Sequence, residues 1–481
     1  MLRTFSAHTR FFSVALSLAF FSVFNAPTAQ AQEAELLQTM SLGDIIGLGS
    51  SYGIPTGILN PTFAVNAYRV SYEMPFLDSV VTVSGALFVP QSMNLACGAP
   101  TLTYMHGTVF LREDAPSFLG SEGQLGFLMA SKGFVTLMPD YVGLGLSELL
   151  HPYIHAQSEA DAGIYLLSAA ETLSAELGYT MGDQNFVIGY SQGGHASMAM
   201  AREMQEVWSD TFPLTAAAPM SGPYDLSGTQ FALGIEQDEY SNPSYFAYMA
   251  MAWQSIYGDL FSDLSDWIVE PYASELPGMF DGLTSSGEIN DYLPSLTADL
   301  LQPGVLEQIM EPGSTFMAAA QDNDVYEWVP ESPVQMYYCT EDEQVFYQNA
   351  LVAEAYMNEQ GAPAVTSDNG GALTHGACAL VAILGGTLWC VGQASFCDIV
   401  GVNENVNFSN GLSIYPNPAT EVVRIEGLMN GTTWELFDAA GRQVFRGVSD
   451  GSTLNLDISA FARGLYTLKG GSAQTVRIAL H

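Results

Sequence analysis

The chemistry begins at one serine. Asn185, Phe186, Val187, Ile188 and Gly189 form a short apolar run that enters Tyr190-Ser191-Gln192-Gly193-Gly194, and an Ala/Met-rich stretch from Ala196 to Val207 follows. Apolar run, glycine-flanked serine, then helix is the pattern of a nucleophile elbow. The small flanking residues let the serine occupy a sharp, strained turn with its hydroxyl exposed. The following helix directs its first N–H groups at the place where an oxyanion forms. The same G-x-S-x-G spacing recurs around Ser51 and Ser449. At Ser51 the nearby Pro55 blocks a helix, and Ser449 lies between short alternating runs that read as a hairpin. Only Ser191 has a strand before it and a helix after it.

A serine hydroxyl needs a base, and elimination among the seven histidines leaves one. His8 lies in the leader and His481 is the last residue. His106 follows a strand, while His151 and His155 flank Pro152, which prevents one helical face from presenting both to a metal. His195 sits on the helix after Ser191, turned away from its hydroxyl. His375, in Gly370-Gly371-Ala372-Leu373-Thr374-His375-Gly376, remains. No cysteine spacing suggests zinc, and no metal or organic cofactor is required by this chemistry.

These groups need a scaffold. Asn66 to Glu73 and Val80 to Val89 alternate like an antiparallel strand pair. Thereafter strands at Thr101–Met105, Phe134–Met138, Asn185–Gly189, Leu214–Met220 and Val334–Cys339 alternate with helical stretches, notably 158–177 and 191–207, as in a mainly parallel sheet. The strand at Thr101 runs into His106-Gly107-Thr108, a turn that can aim the Thr108 N–H, together with that of Gln192, at an oxyanion. Residues 225–329, crowded with aromatic and Met side chains, form an insertion after the sixth strand that reads as a cap with an apolar inner wall.

Met105-His106-Gly107-Thr108, Pro139-Asp140-Tyr141-x-Gly143-Leu144-Gly145, His151-Pro152-Tyr153 and Gly189-Tyr190-Ser191-Gln192-Gly193-Gly194, in this order, resemble the secretory lipase family of α/β-hydrolases, over roughly Arg69 to Gly392. The resemblance implies an α/β-hydrolase core with a helical cap, and cleavage of carboxylic esters, lipids among them. In that fold the catalytic groups come in the order serine, acid, histidine. The acid therefore falls in Thr340-Glu341-Asp342-Glu343-Gln344-Val345. Asp342 is the choice, with Glu341 and Glu343 as alternatives. The expected set is Ser191, Asp342 and His375, with Thr108 and Gln192 as the oxyanion hole.

Charge divides the chain. Between Gln32 and Gly411 there are 45 acidic residues (the 51 of the whole chain less six in the tail) against four basic ones, Arg69, Arg112, Lys132 and Arg202. That field repels nucleic acid and anionic ligands, so a neutral ester or lipid is the expected substrate. From Leu412 on, six acidic and six basic residues balance.

Residues 1–31 read as a secretory signal peptide: Arg3 and Arg10, an apolar stretch from Phe11 to Phe24, then Ala29-Gln30-Ala31. No later segment is expected to span a membrane. Residues 32–65 read as an N-terminal extension, 66–400 as the catalytic domain and 401–411 as a linker. Residues 412–481, with short alternating strands, read as a small all-β sandwich. Tyr415-Pro416-Asn417-Pro418-Ala419, Leu436-Phe437-Asp438-x-x-Gly441-Arg442-x-Val444 and Gly464-Leu465-Tyr466 resemble the C-terminal sorting domain of the Bacteroidetes type IX secretion system. That implies export across the outer membrane, with the export machinery as partner. Of the five cysteines, Cys390 and Cys397 make the easiest local disulfide loop. Two rival readings are a serine peptidase on the same fold and an inactive hydrolase-like adhesin.

Overall fold

The computed structural model describes residues 31–92, 98–235 and 242–396. Of the tail it describes 413–415, 419, 422–426, 433–438, 442–448, 453–459, 461, 464–470 and 474–480. The expected leader up to Gln30, the linker at 401–411, Ser449, Cys97 and Cys397 lie outside the described residues. The chain divides into two units, one ending at Phe396 and one beginning at Cys397.

The first unit is built on nine strands: β1 (Ala31–Met40), β2 (Val65–Phe76), β3 (Ser79–Pro90), β4 (Ala99–Met105), β5 (Val135–Pro139), β6 (Met181–Tyr190), β7 (Leu214–Met220), β8 (Val334–Tyr338) and β9 (Val365–Asn369). Their order is β1-β2-β3-β5-β4-β6-β7-β8-β9. Pairing is antiparallel from β1 to β5 and parallel from there to β9. The central strands are apolar along nearly their whole length because helices cover both faces. Along β6 the faces alternate: Phe186 and Ile188 join one buried cluster while Val187 joins the other. The chain passes from β4 to β5 on one side and then returns to β6 on the other. That reversal leaves a crevice at the carboxyl ends of β4 and β6, where open α/β sheets bind ligands.

Two sequence expectations change here. Residues 32–65 do not merely precede the sheet: β1 pairs along β2 and adds an edge strand. Its Glu/Gln-rich composition, poor in β-branched residues, hides it from propensity reasoning. The cap therefore follows the seventh strand rather than the sixth. Second, the His375–Gln393 helix is long and apolar enough to cross a membrane. It serves instead as a covering helix of the sheet, burying Cys378, Ala382, Ile383, Gly386 and Cys390 against β6, β7 and β8.

The cap lies between β7 and β8. Its apolar cluster includes Trp253, Ile268, Leu276, Ile289 and Phe316, and Phe110, Tyr153 and Ile154 join it from outside the cap. The tail unit holds two antiparallel sheets, β10 (Ser413–Tyr415), β11 (Val422–Glu426) and β14 (Thr453–Asp457) in one, and β13 (Gln443–Val448), β12 (Thr433–Phe437), β15 (Gly464–Gly470) and β16 (Gln474–Leu480) in the other. Their apolar cluster includes Val423, Ile425, Trp434, Leu436, Leu456 and Leu468.

Candidate active site

Ser191 stands between β6 and the Gln192–Glu206 helix with φ 62° and ψ −122°. A non-glycine residue at positive φ is strained, and its neighbours must hold it there. They do so by backbone-to-backbone packing. A β-carbon on Gly189 would overlap the Gly193 carbonyl, one on Gly193 the Met105 carbonyl, and one on Gly194 the Met220 carbonyl. Glycine is thus required at all three positions by space. The Ser191 N–H donates to the Met220 carbonyl at 3.0 Å, tying the turn to β7.

The structure brings Ser191, His375 and Asp342 together. Ser191 Oγ lies 2.8 Å from His375 Nε2, and His375 Nδ1 lies 2.9 and 2.8 Å from the two Asp342 oxygens. Asp342 also accepts from the Val345 N–H at 2.9 Å and the Gln344 N–H at 3.1 Å, which orients the carboxylate from below. Its two acidic neighbours do other things. Glu343 accepts from the His375 backbone N–H at 3.0 Å, at the start of the His375–Gln393 helix. Burial pushes its carboxyl up, but that bond and its own backbone N–H outweigh the push and hold it below the usual range. Glu341 is exposed. His375 is gripped once more by the Tyr190 hydroxyl, which donates to its carbonyl at 2.6 Å.

A disulfide joins Cys339 to Cys378, three residues before Asp342 and three after His375. The expected pairing of Cys390 with Cys397 is corrected: Cys390 is a free thiol buried in the sheet-facing side of its helix. The true partners are 39 residues apart, so no local loop rule finds them.

The two expected oxyanion donors lie on adjoining backbones. Gln192 is the first residue of its helix, so its N–H has no intrahelical acceptor. The β4 exit that carries Thr108 touches the same elbow: a β-carbon on Gly107 would stand 3.5 Å from the Tyr190 carbonyl. Glu122 fixes this exit, accepting from the Gly107 N–H at 3.0 Å and from the Tyr104 hydroxyl at 2.5 Å. The Thr108 hydroxyl meets the Tyr153 hydroxyl at 3.0 Å. Beneath lies the Asp140 knot. Its buried carboxylate accepts from the Ser84 hydroxyl at 2.6 Å and the Ser117 N–H at 2.9 Å, and Tyr141 stacks on His106 at 4.2 Å. Burial raises the Asp140 carboxyl above its ordinary range, against the pull of those bonds.

Sequence reasoning passed over Glu122 and the Tyr153 hydroxyl, and also the Gln192 side chain, whose Nε2 donates to Glu159 at 2.7 Å. His151, read as a plain loop residue, donates from Nδ1 to the Val142 carbonyl at 2.8 Å, and burial pushes it down to about 3. Its Nε2 lies 2.8 Å from Gln192 Nε2. The His-Pro-Tyr motif was the only available signal for these contacts. His195 is fully buried, as its position after the elbow implies.

Above Ser191 opens a cavity of about 290 Å³. Ser191, Gln192, Gln344 and Val345 form its floor, and Tyr153, Leu226, Phe231, Phe246, Ile309 and Phe316 are among its walls. Among the described residues no cluster of three or more His, Cys, Asp or Glu has metal-binding geometry.

The fold matches that of the α/β-hydrolases. The rice cell wall degrading esterase LipA from Xanthomonas oryzae, in a ligand-bound form, is similar over 75% of this chain and 96% of its own, with 26% identity and a TM-score of 0.66. A Legionella pneumophila protein assigned to the hydrolases covers 78% of this chain and 100% of its own at 24% identity and a TM-score of 0.69. Candida antarctica lipase A shares the fold at 13% identity, covering 72% of this chain and 77% of its own with a TM-score of 0.53. No curated protein matches the sequence. The larger unit therefore has the α/β-hydrolase fold, and its likeness to the esterase supports a hydrolase.

The tail is more specific. Residues 413–478 match the family described as the secretion system C-terminal sorting domain. The chain thus carries a type IX sorting domain, which indicates secretion by way of the outer membrane or cell surface.

Proposed function

We propose that this protein is an exported serine hydrolase of neutral carboxylic esters. Ser191 attacks the ester carbonyl, and His375 takes its proton and passes it to the leaving alcohol. Asp342 fixes the imidazole tautomer and stabilises the imidazolium. The N–H groups of Thr108 and Gln192 receive the oxyanion, each worth about 3 kcal/mol in such sites. Water then gives its proton to His375 as its oxygen bonds the acyl carbon, and the Ser191 Oγ–carbon bond breaks with that proton returning to Oγ, which frees the carboxylic acid.

The observation that carries this reading is the Ser191–His375–Asp342 chain of contacts, at 2.8 Å between hydroxyl and imidazole, opening on an apolar cavity. The excess of acidic over basic residues between 32 and 411 disfavours anionic substrates. In the same reading the leader is removed after Ala31, residues 66–400 with their cap at 225–329 do the chemistry, and residues 412–481 address the chain to the export machinery.

The test pairs labelling with turnover. A fluorophosphonate probe should label the wild type and not Ser191→Ala, and p-nitrophenyl esters should be hydrolysed while peptide anilides are not. Turnover of amides alone would make it a peptidase. A wild-type protein that never labels would make it a binding protein.

A further inference from the structure

Behind the elbow lies a buried polar cluster that the mechanism above leaves idle. Glu159, from the Ala156–Leu177 helix, is fully buried, and so is His195 beside it. Glu159 Oε2 lies 2.8 Å from His195 Nδ1, and the other His195 nitrogen lies 2.8 Å from the Asn323 carbonyl oxygen. The second Glu159 oxygen accepts from Gln192 Nε2 at 2.7 Å. Both Nε2 protons of Gln192 are thereby used, one on Glu159 and one on His151. Two acceptors facing that nitrogen settle which way round the carboxamide lies.

Resting on the reading of Ser191 as nucleophile and Gln192 as oxyanion donor, we propose that Glu159 and His195 are positioning residues. They lock the Gln192 side chain, and through it the Gln192 N–H, in the place where the oxyanion forms.

Proton counting explains why the carboxylate has a partner. Both His195 nitrogens face acceptors, so every contact is a hydrogen bond only if the Glu159–His195 pair holds one proton more than a carboxylate with a neutral ring. Wherever that proton resides, the pair is neutral as a unit. A lone buried carboxylate at this place would oppose the negative charge that develops one residue away. The pair anchors Gln192 without that penalty. An N–H placed beforehand needs no reorganisation at the moment of reaction, and that is where such a donor gains its value.

Four proteins test this: wild type, Glu159→Met, Gln192→Met and the double variant. Methionine at 159 has no acceptor oxygen, so Gln192 and His195 both lose their bonds to it. Methionine at 192 keeps the backbone N–H and removes the anchor. Each single change should lower kcat by about 10- to 100-fold, less than outright loss of a hole donor, with KM within about threefold. Affinity for a trifluoromethyl ketone, which adds to the serine and creates the oxyanion, should fall by the same factor as kcat.

The double variant should be no slower than the slower single, because both act through one side chain. Additive losses would overturn the proposal, as would a KM change with kcat intact. If Glu159→Met does not fold, His195→Asn takes its place in the cycle. If neither folds, the pair is an element of the fold and the proposal is wrong. Ester hydrolysis that survives in Ser191→Ala would instead refute the underlying reading, so the two failures are distinct.

Discussion

Removing the Cys339–Cys378 disulfide should cost both stability and rate, through different links. The bond closes a loop from the end of β8 to the start of the His375–Gln393 helix, across a separation of 39 residues. For a loop of about 40 residues, the chain-entropy relation gives about 4 kcal/mol of stabilisation at 25 °C. That is a large fraction of the 5–15 kcal/mol typical of a folded domain. The same loop contains Asp342 and His375, each three residues inside a cysteine. Glu343 and Tyr190 still grip His375 when the bond is absent, so the site should loosen rather than dissolve. A displacement of order 1 Å costs up to about 100-fold in rate, and a partly held loop should lose about 10-fold. The assay compares wild type with Cys339→Ala/Cys378→Ala in urea denaturation and in ester turnover at 25 °C. A stability loss below about 1 kcal/mol with unchanged kcat would refute the reasoning, because neither chain entropy nor loop alignment would then depend on the bond.

Three further outcomes follow from the site. Asp342→Asn should lower kcat by about four orders of magnitude through the wrong imidazole tautomer, whereas Glu343→Gln should stay within about tenfold; equal losses would refute that division of roles. Gly193→Ala should destabilise by about 3 kcal/mol, read by urea denaturation, because its methyl overlaps the Met105 carbonyl in the elbow. Asp161 concerns stability against pH. Burial raises its carboxyl from 3.8 to about 7, against the bond from Gln157 and with help from Glu203. The folded chain therefore keeps this proton between about pH 4 and 7 while the unfolded chain releases it, and stability falls as pH rises through that window. Asp161→Asn removes the titration, so it should stabilise by about 2 kcal/mol at pH 8 and have no such effect at pH 4; equal effects at both pH values would refute the assignment.

Much of the scaffold was legible because its elements declare themselves locally. The apolar runs of β4 to β8 stand between helical stretches, and Ser191 sits on a turn whose glycines carry their reason in the sequence. Asp342 and His375 could be reached through the chain order of such sites and through elimination. What escaped depends on pairings between distant residues. Glu159 lies in an Ala-rich helix, where one acidic residue reads as a solvated face; only the fold brings it against His195, 36 residues on. The Cys339–Cys378 bond and the Glu122 grip on Gly107 are likewise products of tertiary approach. β1 escaped for a different reason: its residues favour no strand until β2 offers an edge.

Most of the cap's apolar side chains gather in a cluster distinct from the two that flank the sheet. Novelty and conservatism are thereby assigned to different stretches of one gene product. Substitutions inside residues 225–329 can reshape what enters the chamber while leaving the reacting groups as they are. Change at Gly189, Gly193 or Gly194 admits no such freedom.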